Sequence, residues 1–477
     1  MTKNTKETKT EQPVENQTQS LNSDKLRNMP VGKLLFGMAL PAIISMLIES
    51  LYNIVDSVFV AQYDNAALDA IGIARPIIMI IISTAIGIGV GANAYVARQL
   101  GFGDREKANQ VAKTAMILAA VAGLLFFALS WFIATPFAKL FTSDAKVIGF
   151  VAEYLPLYMA FSIFSMLSIT GSKILQATGN MRVPMISQIL GCVTNIVLDP
   201  LFIFEEFWGV QGLGLGMKGA ILATAIGQFV SCVYVLGAFV FRKQDVDILP
   251  RNLKFSFKNV GEICNIGLPT FILNAIGSFT TMILNGILKN YENGITILSV
   301  YFTCQSFVFM PTFGLTQGTL PVLSYNFGAN LRQRFNRCFK LSVLTALCFL
   351  GVGFVIFQAC PQIVAPLFNL TGDALTSTVK AFRTISISFI PAAFSILTIT
   401  LLQSLNAGMY SMFMSLLRQL GLLVPLAFLF NALWGIKGVF FCYPAAEFIT
   451  LAIFAPIAYN KYKKTFAQRE LQDAELN

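Results

Sequence analysis

The sequence predicts an all-α polytopic membrane protein, with twelve transmembrane helices in two pseudo-symmetric six-helix bundles. Three observations predict it. Of 477 residues, 55% are hydrophobic and only 12% charged, where a soluble chain carries roughly 25% charged residues. Nearly uncharged apolar runs of about 18 or more residues recur along the chain, long enough to cross a hydrocarbon core of about 30 Å. Finally, the second half of the chain repeats the first.

The first 30 residues (MTKNTKETKTEQPVENQTQSLNSDKLRNMP) are polar and lack the apolar core of a cleaved signal, so residues 1–30 read as a disordered cytoplasmic tail. Twelve apolar runs follow, starting near Leu34, Ile71, Ala108, Val147, Pro184, Gly214, Val260, Ile295, Cys338, Thr378, Met409 and Trp434. The first continues to about Ala61; its 28 residues reach about 42 Å, so it must tilt, kink or protrude. The implied division is an N-lobe at 31–241 (helices 1–6), a cytoplasmic linker at 242–258, a C-lobe at 259–465 (helices 7–12) and a C-terminal tail at 466–477.

Assigning Lys and Arg to alternate sides puts 25 on the side of both termini, including Lys173 and Arg182 in the fourth connection, and seven on the other. The positive-inside rule then places both termini in the cytoplasm. The net charge of +10 is a topology signal, and no nucleic-acid partner is expected.

At an offset of 228, LPAIISMLIESLYNIVDSVFVAQYDN (Leu40 to Asn65) aligns with LPTFILNAIGSFTTMILNGILKNYEN (Leu268 to Asn293). At 227, the LQAT from Leu175 faces the LQSL from Leu402, and the loop after Gly101 faces the one after Gly328. At 219, GMKGA from Gly216 faces GIKGV from Gly435. A half-repeat of six spans is even, so both halves enter from the same side: the repeat is parallel, with its axis along the membrane normal. Such an architecture places a binding site between the lobes near the midplane, with the linker allowing them to rock.

The histidine count is zero, which closes Ser/His/Asp triads and H-E-x-x-H zinc chemistry. The eight cysteines form no C-x-x-C and read as small core residues. No G-x-x-x-x-G-K-[ST] loop is present, so ATP hydrolysis by that route is excluded. The G-x-G-x-G of Gly87, Gly89 and Gly91 and the glycines from Gly212 to Gly219 read as helix packing and a tight turn. Prolines at 41, 184, 269, 311, 391 and 425 are candidate kinks.

Few acids lie within the spans, where each costs at least about 2.5 to 3.5 kcal/mol. Glu49, Asn53 and Asp56 occupy one stripe of helix 1, and Asn195 and Asp199 one face of helix 5. If those helices meet, two carboxylates and an amide oxygen converge, which suits a hard cation or a shared proton. Hydrogen bonding between helices is the competing reading. The repeat partners of Glu49, Asn53 and Asp56 are Gly277, Thr281 and Leu284, and Asp199 faces Leu426, so the fold alone does not require this cluster. Glu447 in helix 12 faces Gln228 and has the reverse asymmetry; helix pairing is its simpler reading. Glu153 and Glu262 lie near span ends, where carboxylates are ordinary, and Arg75 reads as interfacial.

From Leu40-Pro41 through Tyr52-Asn53-Ile54-Val55-Asp56, Gly87 to Ala92, Ala97-Arg98-Gln99-Leu100-Gly101, Leu175 to Asn180, Asn195-x-x-x-Asp199 and the doubled G-x-K-G, residues 31 to 465 resemble the multidrug and toxic compound extrusion (MATE) transporters, and within them the MepA-like bacterial branch. The resemblance implies a secondary multidrug antiporter in a bacterial cell membrane, exporting lipophilic, often cationic compounds in exchange for H+ or Na+, with no other cofactor. It also implies an N-lobe coupling site at Asp56, Asn195, Asp199 and Thr224. A C-lobe acid used by some relatives has no match here. Glu49, Asn53, Gln176, Gln228 and Glu447 are the residues expected toward the substrate.

The expected partners are small lipophilic or cationic drugs and membrane lipids, and a monomer suffices because one chain holds both lobes. A flippase for a lipid-linked sugar is the alternative; it would want a large cationic cavity, and few basic residues lie in the spans. An intramembrane transferase lacks an obvious nucleophile constellation.

Overall fold

The computed structural model describes residues 23–141, 144–207, 209–249, 256–291, 294–364 and 372–476. Backbone polar groups in lipid must be satisfied within the segment, which leaves helices as the natural spanning element for runs of this composition. The first half contains α1 (Ser23–Asn28), α2 (Val31–Tyr63), α3 (Asn65–Phe102), α4 (Arg105–Phe141), α5 (Ala145–Ala177), α6 (Arg182–Ile203) and α7 (Met217–Phe241). The second contains α8 (Phe257–Leu288), α9 (Gly294–Gly328), α10 (Arg332–Ala359), α11 (Pro361–Val364), α12 (Gly372–Ser386), α13 (Phe389–Ser404), α14 (Gly408–Leu416), a π-helical stretch (Leu417–Leu423), α15 (Val424–Trp434) and α16 (Ile436–Leu476).

Among the described residues, eleven helices are long and apolar enough to cross a membrane, and α12 with α13, bent by 46°, supplies a twelfth as one broken span. The molecule is an all-α polytopic membrane protein. Helix α2 has 33 residues, about 50 Å at 1.5 Å per residue, so the predicted overlength is present. Of the candidate kink prolines, Pro41, Pro269 and Pro311 lie inside helices. Pro184 and Pro391 are the third residues of α6 and α13, where the missing N–H leaves no intrahelical bond unmade, whereas Pro425 directly follows the π-helical stretch inside the continuous Gly408–Trp434 span.

The repeat is visible in the backbone itself. Gly103 (φ 82°) and Asn330 (φ 52°) take the same left-handed turn 227 residues apart, as do Gly179 (φ 85°) and Asn406 (φ 58°), and Gly216 (φ 56°) matches Gly435 (φ 62°) at an offset of 219. A left-handed residue is costly for most side chains, and glycine and asparagine bear it best. The matched tyrosines are placed too: a Cβ on Gly216 would meet the Tyr63 hydroxyl, and one on Gly435 would meet that of Tyr291.

The lobes pack through glycines toward the end that carries most of the Lys and Arg, called here the basic end. A Cβ on Gly267 of α8 would stand 2.1 Å from the Gly87 carbonyl oxygen of α3, and one on Gly91 of α3 would stand 2.1 Å from the Ile263 carbonyl oxygen of α8. Gly101 and Gly328, equivalent by the repeat, face each other where α3 and α9 end; a Cβ on either would lie 2.2 Å from a backbone oxygen of the other helix. Gly314 and Gly318 of α9 similarly seat Ile43 and Ala39 of α2. Arg98 pairs with Glu262 across this seam at 3.5 Å, and Asn406 Nδ2 donates to the same carboxylate at 2.9 Å. Glu262 is therefore an interlobe partner rather than an ordinary solvated acid.

Four placements differ from the sequence reading. Ser23–Asn28, expected within the tail, is a helix with Leu26 fully buried, because Arg334 donates to the Leu26 and Met29 carbonyls and holds it against the C-lobe; residues 1–22 lie outside the described set. At the other terminus α16 continues to Leu476, with Phe466 buried and Arg469 donating to the Phe327 and Gly328 carbonyls while its guanidinium lies 4.2 Å from the Phe102 ring. Helix α3 begins at Asn65, so Arg75-Pro76 falls inside a helix. Lys173 lies within α5 rather than in the connection after it. Between α6 and α7, Glu206–Phe207 and Val210–Gln211 pair as a small antiparallel hairpin. The linker is not wholly free: Asp245 binds Arg105 at 3.1 Å, Asp247 binds Lys113 at 3.2 Å, and Val246 is buried. Of the cysteines, all free, Cys264, Cys348 and Cys360 are exposed, so only five fill the interior.

Candidate functional site

The N-lobe acids converge because two glycines let their helices close up. A Cβ on Gly227 of α7 would lie 2.7 Å from the Gly191 carbonyl oxygen of α6, so the two helices run in near contact, and one turn on from Gly191 the Asn195 side chain reaches across. Its Nδ2 donates to Asp199 Oδ1 at 3.1 Å and to Thr224 Oγ1 at 3.2 Å. Asp199 is wholly inaccessible and Asn195 nearly so, yet Asp199 Oδ2 and Asn195 Oδ1 have no hydrogen-bond partner. Buried polar atoms left unpaired are rare and ask for an explanation.

From α2, Asp56 brings its carboxyl into hydrogen-bonding range of Asp199. One turn earlier the Tyr52 hydroxyl lies near Thr224, and that of Tyr158 of α5 lies near Gln228 of α7. Tyr154 stacks on Tyr158 with ring centroids 6.0 Å apart, and both tyrosines feel the charge of Asp56. Asp56, Asn195, Asp199 and Thr224 thus form one cluster, with Gln228 at its margin. The tyrosines were not singled out from sequence. Their signal was spacing: Tyr52 precedes Asp56, and Tyr154 precedes Tyr158, by four residues on one helix.

The remaining candidates sit elsewhere. Glu49 is half-buried on α2 within charge range of Lys173. The side chain of Asn53 lies outside the described set. Gln176 joins Lys173 and Gln317 at the lobe interface. Glu447, far from the N-lobe cluster, pairs with Arg418 of the π-helical stretch at 3.1 Å. Nothing in the sequence analysis pointed to Arg418 as the partner of Glu447.

Chemically, the N-lobe cluster offers carboxylate, amide and hydroxyl oxygens, with two of those oxygens unpaired. That is an oxygen-only donor set, apt for a hard cation or for a proton held between carboxyls and inapt for soft transition metals. No group of three or more His, Cys, Asp or Glu suited to a metal occurs among the described residues. The twin positions in the C-lobe are Leu284, almost fully buried, and Leu426.

The MatE family model matches residues 41–201 and 267–429, one match per lobe. The multidrug export protein MepA of Staphylococcus aureus (strain MSSA476) is 26% identical over 424 residues, covering 88% of this chain and 91% of that protein. MepA of Staphylococcus haemolyticus (strain JCSC1435) is 23% identical over 430 residues, covering 90% and 93%. A solved outward-facing conformation of a multidrug resistance MATE family transporter superposes with a TM-score of 0.87 at 23% identity, covering 94% of this chain and 99% of that one. With both lobes matched and the helices superposing throughout, the chain belongs to the MatE family and is a MepA-like member of it.

Proposed function

We propose that the protein is a secondary active multidrug antiporter, exporting lipophilic, often cationic compounds by alternating access in exchange for H+ or Na+ bound at Asp56, Asn195, Asp199 and Thr224. The observation that carries this reading is the Asp56/Asp199 pair, Asp56 half-buried and Asp199 wholly inaccessible, with Asp199 Oδ2 and the neighbouring Asn195 Oδ1 unpaired, in the lobe whose twin holds leucines at the same positions. A desolvated acid pair retained at such cost within a span marks an ion or proton path. The names of the curated relatives support multidrug export as the coupled process. No cofactor beyond the coupling ion is invoked, and the monomer, carrying both lobes, is the working unit.

Helix α2 connects the two events. It carries Asp56 into the ion cluster and, lower down, packs Ala39 and Ile43 onto Gly318 and Gly314 of the other lobe. Occupying the cluster changes what holds α2, and so changes the stability of the seam. A ligand shifts such an equilibrium only by its differential affinity for the two states. The excess of Lys and Arg on the side of both termini, which persists with Lys173 inside α5, supports a seam at the cytoplasmic face of a bacterial cell membrane.

The test is efflux of a fluorescent lipophilic cation from proteoliposomes under an imposed pH gradient and then a sodium gradient. Wild type should respond to one gradient, and Asp199→Asn should abolish gradient-driven transport while leaving the protein folded. Undiminished coupling in Asp199→Asn would remove the site assignment; no movement under either gradient would remove the antiport reading.

A further inference from the structure

Helix α10 begins its span, at the basic end, with positive charge that no acid answers. A groove of about 530 Å³ lies along its first turns, lined by Gln333, Asn336, Arg337, Lys340, Leu341 and Leu344. Arg337 and Lys340 are exposed, and neither has an ion pair among the described residues. No Asp or Glu occurs in α10, and none in α2 before Glu49. Helix α2 is the neighbour on this side, because a Cβ on Gly32 would stand 3.7 Å from Leu341 Cδ2. The Tyr462 hydroxyl donates to Asn336 Oδ1 at 2.7 Å, which leaves the Asn336 amide with N–H groups to offer. The polar lining is therefore rich in donors, two of them charged.

The polarity of the groove changes in one direction along the helix. Lys340 follows Arg337 by three residues and Leu344 by seven, so the three share one face. That face continues through Cys348, Val352 and Val355, all exposed, and an exposed apolar stripe on a spanning helix is one turned toward lipid. Leu344 lies about 10 Å deeper than Arg337 at 1.5 Å per residue. A headgroup layer is roughly 5 to 8 Å thick on each side of the hydrocarbon core, so the groove runs from headgroup depth into the acyl region.

From this arrangement we infer that the groove binds one anionic phospholipid, its phosphate held by Arg337 and Lys340 and an acyl chain laid along Leu344. Basic pockets beside spanning helices are suited to acidic headgroups in this way. A zwitterionic lipid would bring its own ammonium toward the same two cations, so a headgroup of net negative charge is the better complement. The occupant sits where α10 meets the start of α2, the helix that carries Asp56 at its other end. The site uses none of the ion-cluster residues and does not rest on the efflux reading.

The experiment is native mass spectrometry of the full chain in detergent, titrated with an equimolar mixture of phosphatidylglycerol and phosphatidylcholine. The readout is the ratio of the two singly lipid-bound species. Wild type should favour phosphatidylglycerol, and the double variant Arg337→Gln/Lys340→Gln should lower that preference about tenfold or more, each basic residue at a headgroup contributing roughly fivefold. Lys463→Gln/Lys464→Gln, which removes the same charge from exposed positions of α16, should leave the ratio unchanged. No preference in wild type, or equal losses in the two double variants, overturns the site. Excess glycerol 3-phosphate should leave the lipid in place; displacement by it would reveal a site for free anions and overturn the lipid assignment.

Discussion

Asp199 and Glu447 show how differently two intramembrane carboxylates can be held. Asp199 has another acid, an amide and an unpaired oxygen around it, whereas Glu447 has a guanidinium at 3.1 Å, both side chains being only 14% exposed. The pairing gives Glu447 a structural occupation. Replacing one member of a buried pair strands the other, at a cost of about 3 to 5 kcal/mol. Glu447→Gln should therefore lower thermal stability in detergent markedly, and adding Arg418→Met should recover most of the loss; a single mutant as stable as wild type would show that Arg418 does not depend on this partner. The positions of both acids were readable as residues out of place in apolar runs. The partner of Glu447 was not, because Arg418 lies 29 residues away and no local periodicity links such a pair; Thr224, 29 residues from Asn195, was reached only through the family resemblance.

At the scale of the element, the helix-ending turns carry the repeat most faithfully. Gly103 is left-handed with nothing within 4 Å of where its Cβ would be, so a substitution there is felt through the backbone alone. Its counterpart Asn330 shows that asparagine bears the same turn. Gly103→Asn should accordingly change stability by less than about 1 kcal/mol, whereas Gly103→Val should cost more than about 1 to 2 kcal/mol, the penalty of a left-handed backbone, readable as a difference in unfolding midpoint between the two. Equal effects would show that the turn is not what glycine serves there. Helix number and order were legible because each apolar run is bounded by charge, Gly or Pro. The bend between α12 and α13, the π-helical stretch and the hairpin after α6 were not, since each depends on contacts made by neighbouring helices or on local hydrogen-bond shifts that leave composition unchanged.

For the molecule as a whole, the seam at the basic end is what holds the lobes in this arrangement. It is built where backbones touch, at Gly87 and Gly267, Gly91 and Ile263, and Gly101 and Gly328, with Arg98, Glu262 and Asn406 beside it. Close backbone approach through small residues is the usual basis of helix association in membranes, where the hydrophobic effect between helices is absent. A side chain at Gly91 has no room, and Gly91→Leu should prise α3 from α8. Spin labels at Phe102 and Phe257, with Cys264, Cys348 and Cys360 replaced, should report a longer distance in that variant. An unchanged distance would place the lobe-holding interaction elsewhere.

The sequence by itself determined the membrane class, the twelve spans, the parallel repeat and the set of residues, Asp56, Asn195 and Asp199, at which polar cost is concentrated. These are properties of composition and spacing along one chain, and a bilayer turns them into structure with few alternatives. Only the tertiary structure decided that Tyr52 joins the cluster, that Glu447 is bound to Arg418, that Glu262 latches the lobes and that Lys173 stands at their interface. Each of those depends on which faces of separate helices meet. That is set by glycine contacts between backbones hundreds of residues apart, which leave no periodic mark in the sequence.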